Sequence, residues 1–185
     1  MIKQMHKNFS CRGNLICNFV NLGPKEKELV RQWRNHDEIK KCMYSQKDIS
    51  RKEHSDFILN LKHDENNFYW LIKTKTGGYL GVIYLNQVNY VSRNAYLGIY
   101  ADPYSELSGK GKLLMGCLKY VAFTKFHLHT LKLEVIKDNH RAIEFYRREG
   151  FGIEGELIDF SYKNGRWSNV IIMGLINRKR KAEWK

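Results

Sequence analysis

The stretch YLGIYADPYSELSGKGKLL, Tyr96 to Leu114, predicts a strand, a glycine-containing loop and the start of a helix in direct succession. Side chains alternate across a strand, so Tyr96, Gly98 and Tyr100 share one face of it. A glycine inside a strand often marks a bulge, or another chain that runs close to the backbone. Gly98 therefore predicts a slot beside this strand.

The loop after the strand has the composition of an anion-binding site. Free N–H groups at a helix start can converge on an anion, and Gly109 and Gly111 would let a phosphate approach the backbone closely. The loop matches neither G-x-x-x-x-G-K-S/T nor G-x-G-x-x-G, so it supports neither a nucleoside triphosphatase nor a dinucleotide-binding enzyme. A plain surface loop capped by Ser108 would need the same residues, and the loop alone does not decide between the two.

Outside this stretch, the hydrophobic patterns predict strands and helices in the order β-α-α-β-β-β-α-β-α-β-β. That order is typical of an α+β domain with a mixed, mostly antiparallel central sheet of about seven strands and four helices. We predict one domain at 1–176 and a polar, basic tail at 177–185. The predicted strands are 14–22, 67–75, 78–88, 94–103, 130–138, 151–165 and 166–176, and the predicted helices are 24–36, 50–61, 112–126 and the one within 138–151.

Composition limits the classes of protein. The formal charge of +13 would attract nucleic acid, anionic lipid or a polyphosphate ligand, while a charged fraction of 28% argues against a membrane protein. The four cysteines form no C-x-x-C pair, and no apolar signal segment follows the N-terminus, so we expect reduced thiols and a cytoplasmic protein. His127 and His129 lack a third ligand nearby in the sequence, so no metal is expected.

Four segments together resemble the GCN5-related N-acetyltransferase family. They are YLGIYADP, the Gly-x-Gly loop that opens a long helix, the LEV strand at 133–135, and the pattern DN-x-x-A-x-x-FY-x-x-x-GF at 138–151. The resemblance implies a V-shaped opening between two central strands that holds acetyl-CoA as the co-substrate, with no metal. In this family the strand pairs with the pantetheine arm, and the loop amides bind the pyrophosphate.

Transferred to this sequence, the resemblance assigns 97–100 to the pantetheine and 107–112 to the pyrophosphate. Glu106 departs from the family, which usually has Gln or Arg there, so Glu106 is not assigned to acetyl-CoA. Lys110 and Lys112 would offset its charge. The implied cofactor-binding residues are Leu97, Gly98, Ile99, Tyr100, Leu107, Ser108, Gly109, Lys110, Gly111, Lys112, Asn139 and Ala142.

Within the family, WRNH at 33–36, MYS at 43–45, YLGV at 79–82 and HTLKLEV at 129–135 resemble the UDP-amino-sugar N-acetyltransferases of bacterial pseudaminic acid biosynthesis. Such enzymes acetylate the 4-amino group of a UDP-linked 2-acetamido-4-amino-2,4,6-trideoxy-L-altrose, and the finished sugar decorates flagellin. The resemblance implies a UDP-linked amino sugar as partner and direct transfer through a ternary complex. No nucleic-acid or membrane partner is expected, and a homodimer stays open.

Acetyl transfer needs a neutral amine, a stabilised oxyanion and a proton for the leaving thiolate. Phe145 and Tyr146 lie about a hundred degrees apart on a helix capped by Asn139, so Phe145 can face the core while Tyr146 faces the cofactor sulfur. Tyrosine has a pKa of about 10 against about 8.5 for a thiol, so it carries a proton at neutral pH. We predict Tyr146 as the catalytic acid; the alternative is a helix tyrosine with its hydroxyl in water.

Glu134 is the predicted catalytic residue on the acceptor side. In the strand 130–136 it faces away from Leu133 and Val135, beside the expected cleft. It would act either as a base on the ammonium through water or as an anchor for the sugar, and the structural alternative is an ion pair with a neighbouring Lys or Arg. An N–H at a Gly98 bulge would stabilise the oxyanion.

The acceptor pocket must hold a uracil, a diphosphate and a sugar with a 6-methyl group, so aromatic, cationic and apolar groups should meet there. The loop KKCMYSQKD at 40–48 has all three. Met43 and Tyr44 would stack on the base or cover the methyl, Arg34 or Lys40 would meet the phosphates, and Tyr96 completes the predicted substrate-binding set. Alternatively, the loop only packs Met43 and Tyr44 onto the core.

Other functions remain open at this point. A protein N-terminal acetyltransferase acting on ribosomal protein and a polyamine acetyltransferase would share the fold, although the scarcity of carboxylate clusters argues against a polycationic acceptor. An acyl-CoA-binding module without turnover is a further alternative. The basic run at 178–181 is typical of nucleic-acid-binding tails, but no aromatic residues interleave it.

Overall fold

Eight strands form one mixed sheet with five helices around it, in a computed structural model that describes residues 6–163 and 165–178. This α+β architecture is the predicted one. The strands are β1 (Phe9–Cys11), β2 (Asn14–Asn18), β3 (Phe68–Lys73), β4 (Tyr79–Asn89), β5 (Asn94–Ala101), β6 (Thr130–Ile136), β7 (Gly152–Lys163) and β8 (Arg166–Ile176). The helices are α1 (Pro24–Asn35), α2 (Asp37–Lys40), α3 (Arg51–Leu61), α4 (Lys110–Tyr120) and α5 (His140–Arg148).

The sheet opens between its two central strands. The strand order is β1-β2-β3-β4-β5-β6-β8-β7, and every pair is antiparallel except β5 with β6. β5 and β6 pair only where 94–96 lies beside 130–132. Beyond that point β5 stays with β4 as far as Ala101, and β6 stays with β8 as far as Ile136. The two strands therefore separate and leave a V-shaped gap.

A separate hydrophobic core fills each face of the sheet, because side chains alternate along the strands. One face packs Leu114, Met115 and Leu118 of α4 and Ile143 of α5 against the sheet. The other face packs α1 and α3, whose buried stripes are Val30 with Trp33 and Ile58 with Leu61. α3 begins at a capping box in which Ser50 Oγ accepts from Glu53 N at 3.2 Å and a Glu53 carboxylate oxygen accepts from Ser50 N at 2.8 Å, as its sequence predicts.

Two short elements were not predicted. β1 forms a hairpin with β2 through Arg12 and Gly13, which both have positive φ, and its three residues are too few to show a periodic pattern. α2 spans only four residues, and the predicted loop 40–48 therefore starts on its last residue. The first predicted strand, 14–22, ends early, because the Asn18 side chain accepts from Val20 N and starts a 3₁₀ turn.

The other connections agree with the predictions. The turn 74–78 joins β3 to β4, and α4 continues through a π-helical turn at Val121–Lys125, which makes it the longest helical segment in the described chain. Asn164, in the predicted turn between β7 and β8, and 179–185 of the predicted tail lie outside the described residues. No helix in the described ranges is long and apolar enough to cross a membrane.

Candidate active site

The V-shaped gap leads into a cleft of about 870 Å³, which we call the cofactor cleft. Its walls come from β5, the loop before α4, the first turn of α4 and the inner face of α5. Ten of the twelve predicted cofactor-binding residues line it: Ile99, Tyr100, Leu107, Ser108, Gly109, Lys110, Gly111, Lys112, Asn139 and Ala142.

The start of α4 forms one end of the cofactor cleft. Gly109 is the N-cap residue, at a φ of 75°, and no described side chain caps the helix, so the alternative of a loop capped by Ser108 does not hold. A Cβ at Gly109 would meet nothing within 4 Å, whereas one at Gly111 would lie 3.2 Å from the Phe145 ring. Gly111 therefore lets α5 pack close to α4 while the first N–H groups of α4 remain available to an anion.

The charged residues of the cofactor cleft include Lys110 and Lys112, which were predicted, and Arg141, Arg148 and Glu149, which were not. Lys110 Nζ donates to the Asp102 carbonyl oxygen at 2.7 Å and also to the Ser105 carbonyl oxygen, so it ties down its own loop. Glu106 is exposed and is not part of the lining. Arg141 and Arg148 of α5 line the cleft, and sequence reasoning missed them because charged residues on an exposed helix carry no signal of their own.

Gly98 does not form a bulge. Ile83, Tyr84 and Leu85 of β4 pair in unbroken register with Ile99, Gly98 and Leu97 of β5. Gly98 is required instead by the Tyr84 ring, because a Cβ there would lie 1.9 Å from Tyr84 Cζ. The predicted slot is thus filled by a side chain, and the predicted oxyanion donor at a bulge loses its basis. Leu97 is only 6% exposed and lies in the core, outside the cofactor cleft.

Gly98→Ala should destabilise the fold by about 1–3 kcal/mol, because the added methyl group overlaps the packed Tyr84 ring. Gly116→Ala on α4 is the matched control, since a Cβ there meets nothing within 4 Å. That variant should be stabilised by up to about 1 kcal/mol, the usual preference of a helix for alanine over glycine. Urea denaturation of both variants measures the two effects, and equal stability would contradict the account of Gly98.

Tyr146 lies on α5 and lines the cofactor cleft, beyond the point where β5 and β6 separate. Its ring is half-buried and meets Phe145 and Phe151 edge-on, with centroids 5.3 and 5.7 Å away. Burial raises the pKa of Tyr146 above its ordinary value, and nearby Tyr84 and Cys42 add to the rise. Asn139 caps α5, as predicted, by accepting from Ala142 N at 3.1 Å.

Glu134 lies on the opposite face of β6 from buried Leu133 and Val135, as the alternation predicts. Tyr44 Oη donates a hydrogen bond to its carboxylate, although the two residues are 90 positions apart in the chain. Burial and this hydrogen bond raise the pKa of Tyr44. No ion pair of Glu134 occurs within the described ranges. The alternative role of Glu134, a salt bridge with a neighbouring Lys or Arg, is therefore not observed among these residues.

A second cavity of about 450 Å³ lies on the α1 side of the sheet, and we call it the acceptor cavity. Tyr100 lines both cavities, which places them next to each other at β5. Of the four predicted substrate-binding residues, Arg34 and Met43 line the acceptor cavity, and Tyr44 and Tyr96 do not. The other lining residues are Phe19, Val30, Ser45, Lys47, Asp48, Ile49, Glu53, His54, Phe57, Tyr69, Tyr84, Asn86 and Tyr100.

Tyr44 and Tyr96 have other positions. The Tyr44 ring meets Phe160 edge-on, with centroids 6.2 Å apart, besides its bond to Glu134. Lys163 Nζ donates to the Met43 carbonyl oxygen and lies 5.9 Å from the centre of the Tyr44 ring. Tyr96 sits opposite Lys132 in the last pair between β5 and β6. The loop after α2 is therefore bound to β6 through Glu134 and to β7 through Lys163, and Tyr44 does not enter the acceptor cavity.

Arg34 is the charged residue of this lining that forms no ion pair with any residue the structure describes. Both carboxylates in the lining are bound by lysines: Asp48 by Lys40 at 2.7 Å and Glu53 by Lys47 at 2.9 Å. Arg34 makes one long hydrogen bond, from Nη2 to the Ser45 carbonyl oxygen at 3.4 Å, and its buried Nη1 has no partner among the described residues.

Two further features bear on the chemistry of the site. Burial lowers the pKa of His54, in the acceptor cavity, to about 4, so this histidine is neutral at pH 7. Within residues 6–163 and 165–178, no three His, Cys, Asp or Glu side chains cluster in a way that could hold a metal ion. All four cysteines are free thiols.

The sequence matches a family model described as an acetyltransferase (GNAT) domain over residues 25–172. It is 39% identical to the acetyltransferase PseH of Campylobacter jejuni over 145 residues, which covers 78% of this chain and 88% of that protein. It is also 31% identical to the spermidine N(1)-acetyltransferase of Escherichia coli over 175 residues, which covers 90% of each chain.

The fold is also found in solved structures. The spermidine N-acetyltransferase of Vibrio cholerae, crystallised with CoA and spermine, superposes with a TM-score of 0.80. The match covers 90% of this chain and 96% of that one at 23% sequence identity, so it bears on the fold alone.

Proposed function

Because this chain belongs to the acetyltransferase (GNAT) family, we propose that it acetylates the 4-amino group of a UDP-linked 2-acetamido-4-amino-2,4,6-trideoxy-L-altrose. Acetyl-CoA is the donor, and the acetyl group passes directly to the amine in a ternary complex. The product belongs to pseudaminic acid biosynthesis and hence to flagellin glycosylation. The observation that carries the proposal is an aromatic acceptor cavity, with one unpaired cation, that meets the cofactor cleft at Tyr100.

The residues of the cofactor cleft fit acetyl-CoA. Gly109 leaves open space beside an uncapped helix N-terminus, which suits the diphosphate of the cofactor. Lys112, Arg141 and Arg148 in the lining supply positive charge for its phosphates. The edge of β5 beyond Tyr96 is not paired with β6, so it can pair with the amide-bearing arm of the cofactor. Acetyl-CoA supplies the activated acetyl group.

Tyr146 and Glu134 divide the proton transfers of the reaction. Tyr146 lies in the cofactor cleft with its proton held by a raised pKa, so it can donate to the sulfur of the leaving thiolate. Glu134 lies on the face of β6 opposite buried Leu133 and Val135, outside the lining of both cavities, and it takes the ammonium proton through water.

The acceptor cavity is better suited to a nucleotide sugar than to a polyamine. Phe57, Tyr69 and Tyr84 offer apolar surface for a sugar ring and its 6-methyl group. A polyamine would need free carboxylates, yet Asp48 and Glu53 are already paired with lysines. The unpaired guanidinium of Arg34 would repel a polycation.

Spermidine acetylation is the second candidate. It is favoured by the 31% identity to the Escherichia coli spermidine enzyme along 90% of both chains and by the presence of two carboxylates in the acceptor cavity. A polyamine would have to displace Lys40 and Lys47 from Asp48 and Glu53 in order to bind there.

The test is thiol release from acetyl-CoA with three acceptors offered in parallel: the UDP-4-amino sugar, spermidine and the N-terminal peptide of a ribosomal protein. We expect release only with the nucleotide sugar, together with a mass gain of one acetyl group on it. Release with spermidine alone would overturn the substrate and keep the family. If acetyl-CoA binds and no acceptor reacts, the chain is an acyl-CoA-binding module for these ligands.

A further inference from the structure

We propose that Lys163 is a positioning residue for the acceptor: its ammonium group keeps the loop after α2, residues 41–50, where that loop lines the acceptor cavity. Lys163 lines neither cavity, so it acts through the loop and does not touch the substrate. The proposal deepens the proposed function and rests on it only for the identity of the acceptor. It makes the β7–β8 hairpin, at one end of the sheet, a determinant of acceptor affinity.

The loop after α2 contributes far more to the acceptor cavity than to the cofactor cleft. Five of the fifteen residues that line the acceptor cavity belong to it: Met43, Ser45, Lys47, Asp48 and Ile49. Among the eighteen residues that line the cofactor cleft, Cys42 is the one member of this loop. A displacement of the loop therefore changes the shape of the acceptor cavity and leaves most of the wall of the cofactor cleft in place.

Neighbouring helices bind both ends of the loop. At its start, Cys42 N donates to the Ile39 carbonyl oxygen of α2 at 3.0 Å. At its end, the Asn35 side chain of α1 pairs with both main-chain groups of Ile49, accepting from Ile49 N at 2.8 Å and donating to the Ile49 carbonyl oxygen at 2.9 Å. These contacts fix where the loop begins and ends, and the position of its middle depends on other residues.

The middle of the loop is bound from β7. Lys163 Nζ donates to the Met43 carbonyl oxygen, across 120 positions in the chain, and lies 5.9 Å from the centre of the Tyr44 ring. The contact of Arg34 with the Ser45 carbonyl oxygen is long, at 3.4 Å, and so contributes less than a short bond from an ammonium group. Lys163 therefore makes the stronger attachment of the segment that carries Met43.

Lys163 is half-buried and has no carboxylate partner. It forms no ion pair within residues 6–163 and 165–178, and the Met43 carbonyl oxygen is the one hydrogen-bond acceptor that its ammonium group has there. Burial lowers the pKa of Lys163, as expected for an ammonium group partly withdrawn from water. Movement of the loop away from β7 would leave this charge without its partner, which is costly.

Tyr44 and Glu134 have contacts that do not depend on Lys163. Tyr44 Oη donates to the Glu134 carboxylate, and the Phe160 ring packs edge-on against Tyr44 with centroids 6.2 Å apart. A variant without the ammonium group keeps both contacts, so the proposed base stays oriented. The effect of Lys163 therefore falls on acceptor binding and appears in KM rather than in kcat.

Steady-state kinetics of three variants test the proposal, with the UDP-4-amino sugar as the acceptor. Lys163→Met removes the ammonium group and keeps a long apolar side chain. It should raise the KM for the acceptor about tenfold, the effect of one lost charge-assisted hydrogen bond, and leave kcat and the KM for acetyl-CoA within about twofold. Lys163→Arg keeps the charge and the donors, so its KM for the acceptor should lie within about threefold of wild type.

The matched control is Lys137→Met. Lys137 Nζ also binds β7, through Glu156 at 2.7 Å, but Lys137 lines neither cavity and has no contact with the loop after α2 among the described residues. This variant should change neither KM nor kcat.

Hydrogen exchange measures the attachment of the loop directly and needs no acceptor. The amides of the peptide that covers 41–50 should exchange about tenfold faster in Lys163→Met than in the wild-type protein, and Lys163→Arg should restore most of their protection. Lys137→Met should leave the exchange of this peptide unchanged.

Three results would overturn the proposal. If kcat falls in Lys163→Met and the KM for the acceptor does not change, Lys163 acts on the proposed base through Tyr44. If Lys163→Arg loses as much as Lys163→Met, the charge and the donors are not what matters. If the KM values for the acceptor and for acetyl-CoA rise together, the substitution has disturbed the fold as a whole.

Failure of the positioning role and failure of the proposed function give different results. If spermidine reacts and the nucleotide sugar does not, the proposed function fails. A KM for spermidine about tenfold higher in Lys163→Met then keeps the positioning role, and an unchanged KM overturns it. If no acceptor reacts, the exchange of 41–50 decides: faster exchange that Lys163→Arg reverses keeps the role of Lys163, and unchanged exchange overturns it.

Discussion

Replacing Tyr146 with phenylalanine should lower kcat by about 10²- to 10³-fold, the usual contribution of a general acid, and should leave the KM for acetyl-CoA nearly unchanged. The substitution removes one hydroxyl group and keeps the ring that packs edge-on against Phe145 and Phe151. Folding and cofactor binding should therefore be preserved, and the loss should fall on the chemical step.

The raised pKa of Tyr146 determines how readily the hydroxyl gives up its proton and over which pH range it stays protonated. A group whose pKa lies above its ordinary value retains its proton at every pH up to that value, so Tyr146 should stay protonated from pH 6 to beyond its usual pKa of about 10. Full donation to a thiolate is uphill, so the proton should move late, as the sulfur departs. Tyr146 itself should then add no alkaline limb below pH about 10 to the rate profile.

The matched control for this experiment is Tyr162→Phe. Tyr162 is 60% exposed on β7 and contacts Trp167, away from the lining of both cavities. The Tyr162→Phe variant should keep full activity in steady-state assays. Unchanged kcat in Tyr146→Phe would remove Tyr146 from the mechanism, whereas an equal loss in both variants would point to an effect of tyrosine removal on folding.

The resemblance to the acetyltransferase family predicted most of the residues that line the cofactor cleft. Ten of the twelve implied residues line the cofactor cleft. Ile99 and Tyr100 come from β5, and the other eight come from the loop before α4 and the starts of α4 and α5, where glycines and a cap set the local backbone. The other two implied residues, Leu97 and Gly98, do not line the cleft, because their surroundings are set by the neighbouring strand β4. Only the pairing of β5 with β4 puts the Tyr84 ring over Gly98, and sequence periodicity does not contain that register.

The acceptor side could not be predicted to the same extent. Its cavity joins residues from α1, the loop after α2, α3 and β3–β5, so no continuous stretch of sequence describes it. Arg34 and Met43 were found from a resemblance, while Asn86 and Tyr69 carry no signal apart from the fold. The contact between Tyr44 and Glu134 spans 90 residues, and it turns a predicted ligand residue into a partner of the predicted base.

Glu134→Gln should lower kcat/KM by about 10²-fold at neutral pH, since a general base typically contributes that much or more. Glutamine keeps the size of the side chain and an oxygen that can accept from Tyr44 Oη, but it cannot take a proton. The variant should therefore lose the part of the acidic limb that the carboxylate contributes and keep only the part that follows protonation of the substrate amine. Raising the pH should partly restore its activity, because more of the substrate amine is then already neutral.

Tyr44→Phe separates the base from its support. This variant leaves the Glu134 carboxylate in place and removes the hydrogen bond that orients it, so we expect a loss of about tenfold, smaller than in Glu134→Gln, with the acidic limb retained. If Glu134→Gln instead raises the KM for the sugar nucleotide and keeps both kcat and the acidic limb, Glu134 anchors the sugar and water alone removes the proton. The two variants thus assign Glu134 by the shape of the pH profile, a property that a purely structural carboxylate would not change.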